Sequence, residues 1–382
     1  MKTKAIQILP VAVALLVIVG AQLVMRATGT EYCLTQLTMA IYYAIVVMGL
    51  CLLMGYAGQV SLGHGAFFAI GGYTCAVLTT HDFSTLKATP WAGWLKQAHL
   101  FVVRQDSYGN PLLTVSPWAA FGAAMLATLL IACLIGYPAL RLRGHYLAMA
   151  TLGFGLIVSK VLLGSSFTGA ADGINAVPQW NLMPGLTVTG KSAARVQNYY
   201  IACGLALLVF VFLFNLVHSR VGRALQAIHD GETAANAMGI NTAAYKLRVF
   251  VLSALLAAMA GVFFTHYTAG IGPSEASALK SIRYVALAAA GGMANLWGVT
   301  VVSIILNYLS LRGWFGTYDN AVFGAILILI ISLAPEGPLR TIGLWLRRLT
   351  TKNPAPALTF QASRFTPQSP PDAERSPSHG SS

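Results

Sequence analysis

The sequence predicts an all-α fold, a polytopic integral membrane bundle of about eight to ten transmembrane helices, some of them broken. Of its 382 residues 56% are hydrophobic and only 9% are charged, whereas soluble domains carry about 25% charged residues. The windows without any Asp, Glu, Lys or Arg are residues 5–25, 32–81, 107–140, 144–159, 196–219, 249–274, 284–311 and 320–335. Because about 20 apolar residues cross a bilayer as a helix, these windows predict membrane spans.

This composition excludes a soluble protein and a nucleic-acid-binding protein. The 24 Lys and Arg against 11 Asp and Glu give a net charge of +13, but the basic residues are scattered between apolar windows rather than gathered on one face. The five cysteines lie inside apolar windows, without C-x-x-C or another metal-ligand spacing, so we expect no metal site. The partner that the composition predicts is the lipid bilayer.

Glycine and polar breaks divide the windows into ten candidate spans. They lie near residues 6–26, 33–54, 64–80, 116–138, 145–163, 199–217, 249–269, 281–293, 297–311 and 318–334. The first is longer than the apolar core of a signal peptide and no A-x-A-like site follows it, so we expect an uncleaved span. The two halves of 281–311 are each about 21 Å long, less than the ~30 Å hydrocarbon core. They are predicted to form either a re-entrant hairpin or two short spans.

The basic residues orient the predicted bundle. With Lys2 and Lys4 inside, an even number of crossings leaves both termini in the cytoplasm. The same register places the loop 218–248 in the cytoplasm. Residues 1–338 then form the transmembrane domain. Residues 339–382 form a basic juxtamembrane segment and a Pro- and Ser-rich tail that lacks apolar periodicity and is expected to be disordered.

Missing residue types disfavour several mechanisms. Coupling to a proton or cation gradient generally needs ionisable side chains within the membrane, and all eleven carboxylates fall outside or at the ends of the predicted spans. The sequence has no G-x-x-x-x-G-K-[ST] motif, so it needs no cofactor of its own and any ATP is bound by another subunit. An enzyme could draw on His64, Asp172 and Asp230, but without H-E-x-x-H, G-x-S-x-G or paired carboxylates we expect no catalytic site.

A glycine-rich break, GYAGQVSLGHGAF at 55–67, lies between two apolar segments at membrane depth. Four glycines within it disfavour regular helix by about 1 kcal/mol each relative to Ala. Unpaired backbone is tolerated there only where it is buried in protein or lines a wet cavity. Neutral hydrogen-bonding side chains suit a polar, uncharged or zwitterionic solute. The predicted pathway residues are Gly58, Gln59, Ser61, Gly63, His64 and Gly65.

The alternative interpretation of this break is close helix packing through small residues, with His64 simply hydrogen-bonded inside the bundle. A second break, GGMANLWG at 291–298, interrupts the later half of the chain. Glycine-interrupted segments in corresponding halves point toward a central pathway, so the second break is predicted to be the counterpart of the first.

The cytoplasmic loop predicts two short helices that dock on a partner. Val221, Ala224, Leu225 and Ile228 form an apolar stripe at helical spacing. Asp230 is predicted to cap a second helix that runs through Met238, and Gly239 suits its C-terminal cap. The alternative is a helix that rests on anionic lipid, but the second helix is alanine-rich and carries Glu232 rather than a basic face.

These motifs resemble the permease subunits of branched-chain amino acid ABC importers of the LivM type, over about residues 35–338. The most specific segments are GYAGQVSLGHGAFFAIGGY (55–73), LRLRGHYLAMATLGFG (140–155), TGAADGI (168–174), the loop and helix at 219–261, GGMANLWG (291–298) and APEGPLR (334–340). In that family the loop that matches Glu232–Gly239 sits in a groove on a cytoplasmic ATPase. The residues expected to couple to the ATPase are Arg223, Asp230, Glu232, Ala235 and Gly239.

The resemblance also implies partners and a solute. It implies a second, LivH-like permease subunit, two ABC ATPases of the LivG and LivF type that bind the ATP, and a periplasmic solute-binding protein, in the bacterial cytoplasmic (inner) membrane. The implied activity is alternating-access import of Leu, Ile or Val, with no enzymatic step. Urea, short-chain amides and other amino acids are alternative solutes, and a gradient-driven secondary transporter is the alternative of another class.

Three positions depart from the family. Leu156 and Arg283 stand where the family often has acidic residues, and TGAADGI at 168–174 replaces a more usual TGG start. Neither position lies in the loop 218–248, since Leu156 falls within the predicted span 145–163 and Arg283 near the start of the span 281–293. The departures therefore bear on solute preference and periplasmic contacts more than on ATPase coupling.

Overall fold

A computed structural model describes residues 16–82, 101–105, 111–142, 144–314 and 316–333. All of them belong to one compact unit, Met1–Ile342. The start of the predicted first span, most of the loop 81–115 and the predicted segment 339–382 lie outside the described residues. The division into a transmembrane domain and a tail therefore stays a prediction.

The described residues form twelve helices. They are α1 Leu16–Ala27, α2 Cys33–Cys51, α3 His64–Thr80, α4 Pro117–Ala139, α5 His145–Gly164, α6 Arg195–His218, α7 Arg220–Asp230, α8 Glu232–Ala237, α9 Thr242–Thr268, α10 Ala278–Ala290, α11 Leu296–Leu311 and α12 Asp319–Leu333. Within this part of the chain five helices are long and apolar enough to cross a membrane: Cys33–Tyr56, Pro117–Ala139, His145–Gly164, Ser192–His218 and Thr242–Thr268. The predicted class, a helical polytopic membrane protein, is confirmed.

Helix boundaries agree closely with the predicted spans where glycine or proline sets them. α3 begins at His64 and ends at Thr80, as the sequence predicts. α9 begins at Thr242, seven residues before the predicted span, because the Asn241 side chain accepts a hydrogen bond from Ala244 N and starts the helix in its polar part.

The core is built around α2. This helix is apolar on every side and almost entirely buried, as expected of a central helix. It packs against α6, α9, α10 and α11, and α9 also packs against α3. α4 and α5 lie at the periphery, where large apolar side chains such as Leu134 and Ile157 are exposed. Apolar outer helices of this kind suit lipid or a neighbouring membrane subunit.

Short strands accompany the helices in segments where the sequence predicts no helix. β1 Phe101–Gln105 pairs antiparallel with β2 Pro111–Val115. β3 Ile174–Asn175 pairs with β6 Gly270–Ile271, and β4 Trp180–Met183 pairs with β5 Leu186–Val188. Strands of two to five residues carry too few alternating positions to be detected by period. They tie the loops to the ends of the helices.

One crossing of the bundle combines a non-helical stretch with a short helix. After α9 the chain re-enters the bundle without α-helix until Ser277, the N-cap of α10. Glu275, in a 3-10 turn of this stretch, accepts a hydrogen bond from Tyr43, which lies ten residues or about 15 Å into α2. Beyond α10, the Met293 carbonyl packs against Gly55, just past the other end of α2. α10 therefore covers about half of the bundle's depth.

α11 then runs along α2 in the opposite direction. Its start lies beside Tyr56, whose hydroxyl bonds to Ala294 O, and the residue after its end, Arg312, bonds to the Tyr32 hydroxyl at the start of α2. Residues 281–311 therefore start beside the middle of α2, turn beside Tyr56 and return along the whole of α2. The choice between the two alternatives for this segment stays a prediction.

The position of Glu275 corrects the sequence analysis. The predicted spans stop before it and resume at residue 281, so all carboxylates appeared to lie outside or at span ends. In the structure Glu275 is buried beside the middle of α2. The prediction missed it because the chain enters the bundle before it becomes helical, and hydropathy windows detect helices rather than such stretches.

Candidate functional site

The glycine-rich break forms at the predicted place. α2 ends in a π-helical turn, Leu52–Tyr56, and α3 begins at His64. Gly58 has φ +66° in the irregular segment between them, a conformation that favours glycine. A Cβ built on Gly55 would come within 1.8 Å of Met293 O in the second break. The two breaks, predicted to be counterparts, thus lie in direct contact.

The later glycines of the break pack closely against other helices. The Leu62 amide donates to Thr151 Oγ1 at 3.0 Å, and the Gly65 amide donates to Ser281 Oγ at 3.1 Å. A Cβ on Gly63 would lie 2.9 Å from Thr151 O. Small residues therefore let the break approach α5 and α10, as the packing interpretation predicts.

His64 is completely buried. Its Nε2 lies 2.7 Å from Ser253 Oγ of α9, and its ring lies nearly perpendicular to the rings of Phe67 and Phe250, with centroid distances of 6.0 and 6.4 Å. Its Nδ1 has no hydrogen-bond partner among the described residues. One nitrogen is thus satisfied as the packing interpretation requires, and the other retains the capacity to bond to a visiting polar group.

Gln59 and Ser61 are buried with unused hydrogen-bonding capacity. The Gln59 side chain is 4% exposed and Ser61 is fully buried. Neither the amide of Gln59 nor the hydroxyl of Ser61 has a hydrogen-bond partner in the part of the chain that the structure describes. Buried polar groups normally find partners, so these two side chains are where a solute or ordered water is expected to bond. The pathway role of the break stays a prediction.

The loop that is predicted to be cytoplasmic, 218–248, folds into two helices, α7 and α8. Ser219 caps α7 by accepting a hydrogen bond from Val221 N at 3.1 Å. Leu225 and Ile228 are buried, and Val221 and Ala224 are half-buried, so the predicted apolar stripe is confirmed. It attaches α7 to the membrane bundle.

One predicted cap is wrong. Asp230 does not cap α8, because α7 continues through Asp230 and the chain turns at Gly231, whose backbone is extended. The cap predicted at Gly239 is confirmed. Gly239 has φ +83°, and its amide and that of Ile240 bond to Asn236 O and Ala235 O at 3.0 and 3.1 Å. This pair of bonds is the Schellman motif.

The five predicted coupling residues divide into two groups. Arg223, Asp230 and Gly239 are exposed and available to a partner. Ala235 is buried against its own chain, and Glu232 forms an ion pair of 2.6 Å with Lys246 of α9. Ala235 and Glu232 are therefore placed to hold α8 on the bundle.

Met238 is 80% exposed, although the sequence predicts it only as the end of a helix. It stands next to Gly239 at the end of α8. A large apolar residue directly before a cap glycine in a polar loop was the signal that could have identified it. Exposed apolar side chains rimmed by polar residues suit contact with another protein.

The glycine-rich break and the helices α7 and α8 meet in one cleft. A Cβ on Gly58 would lie 2.8 Å from His229 Nδ1 of α7. A cleft of ≈ 360 Å³ opens beside this contact. Its walls include Gly58, Gln59, His145, Ile228, His229, Glu232 and Lys246. Nothing in the sequence linked the two motifs, because they are far apart along the chain.

In the described ranges no group of three or more His, Cys, Asp or Glu side chains could hold a metal ion.

Comparison with known proteins agrees with this architecture. The family model described as "Branched-chain amino acid transport system / permease component" matches residues 32–331. No solved structure matches the chain significantly.

Curated relatives are permeases too. The LivM permease protein of the high-affinity branched-chain amino acid transport system of Escherichia coli K12 is 30% identical over 348 residues, which cover 86% of this chain and 74% of LivM. BraD of Pseudomonas aeruginosa is 26% identical over 79% of this chain and 93% of its own length. LivH of E. coli K12 is 24% identical over 79% of this chain and 92% of its own length. With its helical bundle and its apolar spans, the chain belongs to the family of permease components of branched-chain amino acid transport systems.

Proposed function

We propose that this chain is one membrane subunit of an ABC importer that carries branched-chain amino acids, Leu, Ile or Val, across the bacterial inner membrane. The family supports the importer class. The observation that carries the mechanism is the contact between Gly58 of the break and His229 of α7. A force applied to the cytoplasmic helices is transmitted through this contact to the glycine-rich segment at the end of α2.

The partners follow from the same proposal. Both LivM-type and LivH-type permeases are similar to this chain, which supports a second, related permease subunit beside it. Two cytoplasmic ATPases bind the ATP and close against the exposed residues of α7 and α8, and a periplasmic binding protein delivers the solute. Both termini then lie in the cytoplasm. ATP-driven closure shifts the bundle between two states that bind the solute differently, which is alternating access.

Reconstitution tests the proposed function. The permease pair, the ATPases and the binding protein are placed in liposomes, and uptake of labelled leucine is measured with ATP and without it. We expect uptake that requires both ATP and the ATPases. Uptake that continues without the ATPases and responds to an ion gradient would instead establish a gradient-driven carrier.

The solute is tested separately. The binding protein is purified with its natural ligand, and the ligand is identified by mass spectrometry. We expect Leu, Ile or Val. Recovery of urea, a short-chain amide or another amino acid would keep the importer class and change the solute.

A further inference from the structure

An ion pair lies about halfway along the bundle, between a non-helical stretch and α10. Glu275 is 7% exposed and pairs with the ammonium of Lys280. The Tyr43 hydroxyl lies 3.2 Å from both carboxylate oxygens and accepts a hydrogen bond of 3.0 Å from Lys280 Nζ. The pair is therefore held by a tyrosine on the central helix α2.

One side of the ion pair is exposed at the surface of this chain. The Lys280 side chain is 27% exposed, although it contacts Tyr43, whose Cα lies about 15 Å from the start of α2. A charged group at this depth is costly against hydrocarbon and almost always faces the bundle interior or a water-filled cavity. The open side of Lys280 is therefore expected to face the translocation pathway or the second permease subunit rather than lipid.

Two further buried tyrosines with unused hydroxyl groups lie near the ion pair. The centroid of the Tyr284 ring lies 6.0 Å from that of Tyr43, and Tyr73 belongs to the apolar cluster that contains Ala276, the residue after Glu275. Tyr73 and Tyr284 are 3% and 1% exposed, and both interact electrostatically with Glu275. Neither hydroxyl has a hydrogen-bond partner within the described ranges. Because buried polar groups are rarely left unpaired, both hydroxyls are available to bond to a ligand or an ordered water molecule.

The charges and hydroxyls match a zwitterion. The ammonium group of an α-amino acid can replace Lys280 beside Glu275, and its carboxylate can bond to Lys280 and to tyrosine hydroxyls. A neutral solute such as urea cannot replace either half of the ion pair with a matching charge. The cluster thus provides partners for the two charged groups that all α-amino acids share.

We propose that Tyr43, Tyr73, Glu275, Lys280 and Tyr284 form a transient binding site for the backbone ammonium and carboxylate groups of an amino acid midway through translocation. This zwitterion site deepens the proposed import function and rests on it. The site lies next to the first turn of α3, where the Gly65 amide bonds to Ser281, the residue after Lys280. A solute released from the site is therefore close to the glycine-rich break.

The unpaired hydroxyls allow a test that leaves folding contacts intact. Tyr73→Phe and Tyr284→Phe are compared with Tyr42→Phe in the complete reconstituted transporter. The Tyr42 hydroxyl is also buried without a hydrogen-bond partner in the described segments, but the Tyr42 ring packs on Phe263 rather than on the ion pair. We expect the first two variants to lower amino acid uptake about fivefold each, as loss of one hydrogen bond does, with unchanged melting temperature. Equal uptake in all three variants would overturn the proposal.

A charge series separates binding from a structural ion pair. Glu275→Gln and Lys280→Gln each leave the other charge of the pair without its partner and should lower the melting temperature, whereas the double variant should recover it. A purely structural pair predicts that uptake recovers as well. The zwitterion site predicts that uptake in the double variant stays at least tenfold below wild type.

Uptake by the wild-type complex distinguishes failure of the import function from failure of the zwitterion site alone. If it takes up no α-amino acid at all, the proposed function fails and the zwitterion site fails with it. If it takes up leucine normally and the double variant does the same, the import function stands and the site alone is refuted.

Discussion

The phenol of Tyr56 donates a hydrogen bond of 2.6 Å to the carbonyl oxygen of Ala294, which joins two glycine-rich breaks 238 residues apart. The thiol of Cys51 lies 3.1 Å from the neighbouring carbonyl of Met293. Gly55 packs on the same backbone with no room for a side chain. The end of α2 and the α10–α11 turn are therefore joined by direct contacts.

The closeness of this junction predicts the effect of a single methyl group. Gly55→Ala should destabilise the protein by about 1–3 kcal/mol, because its Cβ would overlap the Met293 carbonyl. Thermal unfolding of the purified permease in detergent measures the change. Gly153→Ala is the matched control, since Gly153 lies within α5 with no atom near its Cβ position, and alanine there should leave stability unchanged or raise it. Equal melting temperatures for the two variants would contradict the packed junction.

The sequence predicts helix positions correctly where a short local pattern determines them. Charge-free windows bounded by glycine predicted α3 to the residue, and the apolar stripe with Gly239 predicted α7 and the end of α8. Local signals of this kind act within one or two helical turns, so a single sequence contains them.

Contacts between distant segments could not be predicted in this way. The Gly58–His229 contact and the burial of Glu275 depend on how helices are arranged, and no local pattern records that arrangement. The wrong cap at Asp230 has a similar cause. Both Asp and Gly suit the N-cap position of a helix. Packing of Leu225 and Ile228 extends α7 through Asp230, so the N-cap of α8 falls on Gly231.

The Gly58–His229 contact makes a testable prediction about coupling. Gly58→Ala should lower solute transport per ATP hydrolysed several-fold, because its Cβ would press on the imidazole and because φ +66° costs alanine about 1–2 kcal/mol. Leucine uptake and ATP hydrolysis are measured together in proteoliposomes.

His229→Ala supplies the control for that variant. Removal of the imidazole makes room for the added methyl group, so Gly58→Ala with His229→Ala should couple better than Gly58→Ala alone. If the double variant is no better, steric contact with His229 does not explain the defect, and backbone strain at Gly58 does.

If an ATPase docks on α8, as proposed above, its binding should depend on the cap of this helix. Gly239→Val should weaken or abolish ATPase capture, since a β-branched residue at φ +83° disrupts the Schellman turn beside the exposed Met238. Pull-down of the ATPase by the purified permease measures the loss. Gly239→Asn is the control, because asparagine tolerates the left-handed conformation better and should retain most of the binding. Wild-type capture by the valine variant would refute the docking role.

Membrane orientation is tested by cysteine labelling in a cysteine-free background. Gly185→Cys, in the turn between β4 and β5, should react with an impermeant maleimide from the periplasmic side. Asn236→Cys, on α8, should react only after the membrane is permeabilised. Labelling of position 236 in intact spheroplasts would reverse the orientation and remove α7 and α8 from the side on which the ATPases act.

Substitution of Gln59 distinguishes a solute-pathway role of the glycine-rich break from a helix-packing role. If Gln59 contacts the solute, Gln59→Ala should lower uptake of leucine, isoleucine and valine by different factors, each up to about fivefold, because a hydrogen bond of about 1 kcal/mol matters only where a solute uses it. Stability should barely change, since the Gln59 amide has no hydrogen-bond partner to lose among the described residues. Uptake rates and melting temperatures of the same preparations measure both effects.

His64→Ala provides the contrast, because His64 does have a partner. Loss of the 2.7 Å bond to Ser253 and of the ring contacts with Phe67 and Phe250 should lower the melting temperature and affect every solute equally if the residue only packs. If its free Nδ1 also binds solute, the loss of uptake should differ between solutes after correction for the folded fraction. A uniform loss for both variants, each with lowered stability, would assign the break to helix packing alone.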